Sequence, residues 1–153
     1  MPLDTVTATR PTTIGRRTPF RRTFVLIESL VALGGLMGTA QLLTGTLTPP
    51  VSVLAPLGLS SWVLPGLWLF GTVAVPSVTA AVMAWRRSPL APPVVLLASA
   101  TLGLELLVQI PFLGPSVLQA VFGTIAIAMA ALALRARRAG WWPPASRSRC
   151  PGR

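Results

Sequence analysis

The chain has 153 residues, 52% hydrophobic and only 10% charged, and its 13 basic residues, all arginine, face three acidic ones for a net charge of +10. A soluble domain carries about 25% charged residues, so this composition, with mean hydropathy +0.70, excludes an ordinary soluble fold and leaves room for one membrane domain without a further globular unit. Histidine is absent and Cys150 is the lone cysteine, which excludes an intramolecular disulfide, zinc sites, Cys/His nucleophile pairs, histidine acid–base chemistry and the usual haem ligands.

Residues 1–22 mix Thr, Pro, Gly and Arg with few apolar side chains and cannot bury enough surface to offset the entropy of ordering, so they are expected to form a disordered basic tail. An all-α domain is expected over 23–135, a bundle of four transmembrane helices. The first apolar run, 24–46, carries a single charge, Glu28, and is long enough for a tilted helix across about 30 Å of hydrocarbon. Arg21, Arg22, Phe24 and Val25 also resemble a twin-arginine export signal, but the run exceeds the usual 7–15 residue signal core and three further spans follow.

Residues 47–64 hold Pro49, Pro50 and Pro56 and no charge, which breaks helix while staying apolar, as expected of a loop lying against headgroups. A second span is expected over 65–85, with Pro65 in its first turn and a kink at Pro76. Arg86, Arg87 and Ser88 make a tight turn into a third span, 91–110, which Pro111, Gly114 and Pro115 should end. The fourth span, 116–134, stops at Arg135, Arg137 and Arg138. Trp141 and Trp142 then offer an interfacial anchor within a second disordered basic tail, 136–153.

The arginines decide the expected orientation. Five precede the first span, two lie between the second and third, six follow the fourth, and the other two connections carry none. Positive charge stays on the cytoplasmic side, so both termini are expected inside, in a multi-pass protein of a bacterial cell membrane. The same arginines favour anionic headgroups there by roughly 1 kcal/mol each. They flank apolar spans instead of gathering on a folded face with base-reading residues, so nucleic acid is excluded as a partner.

Only Glu28 and Glu105 are ionisable within the spans, where a charge costs about 2.5–3.5 kcal/mol. Counted from the cytoplasmic side at 1.5 Å per residue, Glu28 lies about 8 Å deep and Glu105 about 22 Å deep, so they should not touch. Glu28 is expected to snorkel toward water and pair with Arg21, Arg22, Arg86 or Arg87. Glu105 has no cation in any span, and Gln41, Gln109 and Gln119 fall at its depth. These four are expected to form one buried polar cluster, on inward stripes of small residues such as Gly34, Gly38 and Gln41 in the first helix. Such a cluster serves either as interhelical glue, worth about 0.6 kcal/mol per contact, or as a proton- or ligand-binding site.

The Gly-rich end of the first helix, the run Trp62, Val63, Leu64, Pro65 and Gly66, and Glu105 with Gln109 give the chain, over about residues 22–138, a pattern that resembles small uncharacterised four-span proteins of high-GC bacteria, and more distantly DoxX-like membrane proteins. The resemblance implies topology and little mechanism. No catalytic, cofactor-binding or metal-ligating set can be assembled. The expected function is therefore that of a non-enzymatic accessory or interaction subunit, in contact with lipid and with a membrane protein partner. The alternative is a small proton-linked transporter using Glu105.

Overall fold

A computed structural model describes residues 18–46 and 48–141. The described residues are 83% helical and hold no strand. Four helical stretches, Arg21–Thr44, Val63–Trp85, Ala91–Phe112 and Val117–Trp141, are long and apolar enough to cross a membrane. The described residues are thus all-helical, with the four apolar stretches of a multi-pass membrane protein.

Helix α1 (Arg21–Thr44) begins inside the arginine pair and ends at Gly45, whose φ of 71° reverses the chain; glycine adopts this left-handed conformation without a Cβ penalty. A short 3-10 helix, Val51–Leu57, follows, with Leu54 buried. The second span starts at Val63 and comprises α2 (Val63–Leu69), a π-helical turn over Phe70–Ala74, and α3 (Val75–Trp85). Proline lacks the N–H for an i−4 bond and its ring crowds the i−4 carbonyl. The expected kink at Pro76 therefore takes the form of a wide turn just before it, with Pro76 itself in the first turn of α3.

At the end of α3, Arg87 has φ 54°, while Ser88 N donates to Met83 O at 2.9 Å and Arg87 N to Ala84 O at 3.1 Å. This is the Schellman closure of a helix end, here made without glycine. Helix α4 (Ala91–Leu113) runs past Pro111, which the sequence suggested as a terminator, and ends at Gly114. One proline in a last turn removes one bond, and the remaining turn survives on its neighbours. Helix α5 (Val117–Ala136) runs on beyond the expected stop at residue 134 as far as 139 and breaks at Gly140, whose φ of 85° is not helical, just ahead of Trp141. Arginine is a good helix former, so a charge ends the apolar run without ending the helix.

Successive spans pack side by side, and α1 meets α5 through the Phe122 ring, 3.8 Å from where a Gly34 Cβ would lie. The core falls into two parts. One, at the end that carries Arg21, Arg86 and Arg135, gathers Phe24, Ala84, Val95, Met129, Ala133 and Trp141. The other is a thin layer of Val31, Val73, Leu102 and Ala126. Trp141 is not an exposed anchor: it is fully buried, its ring lies 5.6 Å from that of Phe24, and its indole donates to Ser88 O at 3.0 Å. The last turn of the fourth span is thereby tied to both the first span and the second connection. Trp142 and the tail segments 1–17 and 142–153 lie outside the described residues, whereas Arg21, Arg22 and 136–139, assigned to tails from sequence, are helical, with the break at Gly140.

Candidate functional site

The expected cluster divides. Glu105 and Gln109 are together: α4 places them one turn apart, and Gln109 Nε2 donates to Glu105 Oε1 at 3.1 Å. Glu105 is only 7% exposed. Its other oxygen is held from the second span, where Trp68 Nε1 donates to Oε2 at 2.7 Å and Thr72 Oγ1 at 3.2 Å. The single Thr72 hydroxyl hydrogen is shared with Trp68 O, 2.8 Å from Oγ1, so Trp68 and Thr72 form one unit across α2 and the π-helical turn. Neither is singled out for this role by the sequence. The signal available was a hydrogen-bonding pair at i and i+4 at the depth of Glu105.

Gln119 is used differently. Its Oε1 accepts from Ser116 N at 2.9 Å, and Ser116 Oγ accepts from Gln119 N at 3.3 Å. This reciprocal box satisfies first-turn amides of α5 that have no helical partner. Gln41 is exposed and outside the cluster. The buried stripe of α1 is Phe24, Glu28, Val31, Gly35 and Thr39, and Gln41 lies on nearly the opposite face from Glu28, because 13 residues at 100° each leave it about 220° around. One face had to turn inward, and burying the carboxyl avoids the larger cost in hydrocarbon.

Glu28 does not snorkel. It is 3% exposed and borders, together with Ser77 on α3, a small void of about 10 Å³ that Ser99 and Met129 also bound. Arg21, expected as its partner, instead caps the end of α3, with Nε 3.3 Å from Ala84 O and Nη2 3.0 Å from Trp85 O. Cations at a helix C-terminus satisfy its orphan carbonyls and its dipole, and the short reach from Arg21 to those carbonyls decides the choice. The Val31, Val73, Leu102 and Ala126 layer lies between the Glu28 level and the Glu105 level.

Two cavities adjoin Glu105. The first, about 320 Å³, is walled by Leu54, Leu57, Trp62, Trp68, Val108 and Phe112, with Glu105 and Gln109 on its boundary. Trp62 Nε1 donates to Pro49 O at 2.9 Å, which holds the 3-10 segment over this space. The flank stays open, since Leu57, Leu64, Trp68 and Val108 are exposed. The second, about 250 Å³, lies toward α1 and α5, among Gly34, Gly38, Leu106 and Phe122, and Glu105 and Gln109 bound it too. The carboxyl and its amide therefore form a shared wall. Among the described residues no group of three or more potential metal ligands occurs. No family model, curated protein or solved structure matches the chain.

Proposed function

We propose that this chain is a non-enzymatic accessory subunit of a bacterial cell membrane, with both ends on the cytoplasmic side, that holds a small amphipathic molecule in the cavity beside Glu105. One observation carries the reading: an apolar space of about 320 Å³ has a hydrogen-bonded carboxyl on its wall. Ligand sites are mostly apolar concavities with a few placed polar groups, and an ionisable residue within a span marks function more often than packing. The exposed Arg22, Arg86, Arg87, Arg135 and Arg138 at the far end of the spans support contact with anionic headgroups and the proposed orientation.

Native mass spectrometry from mild detergent tests the cavity. The wild type is expected to carry a bound small molecule that Val108→Trp, which fills the space, loses; equal adducts on both proteins would refute the reading. The orientation predicts that reporter tags inserted after residue 55 or 114 lie on the opposite side from tags at either terminus. Tags all on one side would end it.

A proton-linked transporter is the second reading, favoured by the placement of Glu105 and Gln109 on both cavities, which gives the carboxyl two faces of approach. Under this reading Glu105→Gln abolishes proton-coupled uptake in vesicles, whereas in a binding subunit the variant stays folded and inserted with no flux to lose.

A further inference from the structure

We infer that the cavity beside Glu105 selects amphiphiles with a cationic ammonium head over neutral or anionic ones of the same length. The inference rests on the proposed binding role and names its ligand class. Two donors are committed to the Glu105 carboxyl, the Trp68 indole on Oε2 and the Gln109 amide on Oε1, and the single Thr72 hydroxyl hydrogen is shared between Oε2 at 3.2 Å and Trp68 O at 2.8 Å. A carboxylate has about four acceptor positions, and Oε1 accepts from Gln109 alone among the described side chains. All three donors are neutral. The described arginines cap or flank the opposite ends of the spans, as Arg21 does on Ala84 and Trp85. The site thus offers hydrogen bonds without a counter-charge.

The rest of the cavity is suited to the same ligand. The indole N–H groups of Trp62 and Trp68 are spent on Pro49 O and Glu105, so neither is left to greet an anionic or carbonyl head. Indole rings attract cations through their π faces. Leu54, Leu57 and Val108 supply an apolar wall for a tail. An ammonium N–H would join Gln109 as a donor on Oε1 and provide the charge that no described arginine supplies there. A carboxylate head would instead meet Glu105 as a like charge, and a hydroxyl would make the hydrogen bond without the charge.

The test uses the full chain in phosphatidylcholine nanodiscs and three chain-terminally brominated probes, dodecylammonium, dodecanol and dodecanoate, whose bromine quenches tryptophan on approach. Quenching above that of free tryptophan in matched nanodiscs reports binding. Dodecylammonium is expected to saturate at a concentration at least ten-fold below dodecanol, with dodecanoate weakest, and Glu105→Gln should bring dodecylammonium and dodecanol together. Equal binding of dodecylammonium and dodecanol by the wild type, or tighter binding of dodecanoate, overturns the charge selectivity and leaves the cavity reading standing. Saturation by none of the three overturns both. The wild-type comparison decides the matter even if the variant does not fold.

Discussion

Trp141→Ala is expected to lower the unfolding free energy of the bundle by about 3–5 kcal/mol, the range for removing a large buried aromatic. The side chain is fully buried and is the element that joins the end of the fourth span to Phe24 on the first. Its indole also holds Ser88 O, in the turn between the second and third spans. Alanine removes both contacts and leaves a void among Phe24, Ala84, Val95 and Ala133. Trp141→Phe separates the parts, keeping most of the ring packing and losing only the hydrogen bond, for about 1 kcal/mol. Equilibrium unfolding in mixed micelles with increasing denaturing detergent measures both. A loss below that of the phenylalanine variant would show that Trp141 is not a fastener.

The second large effect is expected at Gly35. A Cβ there would lie 3.2 Å from Ala74 N and 3.3 Å from Ala74 Cα, against backbone, which cannot swing aside as a side-chain tip can. Gly35→Val should therefore separate α1 from the π-helical turn and cost about 1–3 kcal/mol or more, as overpacking does. Gly71→Ala is the control: it lies in the same π-helical turn and a Cβ there meets nothing within 4 Å, so its midpoint is expected to stay at the wild-type value or rise. Equal midpoints for the Gly35 and Gly71 variants would mean that the first two spans do not depend on this approach. The same contact explains why the stripe of Gly34 and Gly38 misses the one approach to main chain on this helix. Gly34 meets only a ring atom at 3.8 Å and Gly38 a leucine methyl at 3.0 Å, whereas Gly35 meets main chain.

The site was partly legible in the sequence. Glu105 and Gln109 could be paired by spacing alone, since i and i+4 share a helix face whatever surrounds the helix. Gln119 was visible too, but as a stripe member, although Ser116 three residues earlier fits a capping box and a first-turn residue has local amides to satisfy. Trp68 and Thr72 could not be assigned, because the π-helical turn inserts an extra residue and shifts the facing of everything before it relative to α3. A stripe drawn back from Ser77 and Ala84 along an ideal helix therefore misplaces them. For Glu28 the competition lay between an arginine and Ser77, and it turned on whether Arg21 had carbonyls within reach.

Hydropathy and charge placement determined that the described residues are all-helical, with four stretches long and apolar enough to cross a membrane, and that their arginines lie at one end. These are sums along a segment, unchanged by rotating a helix about its axis. Which side chains meet was decided by the tertiary structure: Glu28 with Ser77, Glu105 with Trp68 and Thr72, Trp141 with Phe24 and Ser88. A helix such as α4 is apolar on almost every side, and in lipid an apolar face gains nothing by turning inward. Periodicity thus carries little of the rotational information it holds in a soluble protein, and close approach of glycine to backbone together with the few polar side chains fixes how each span is turned.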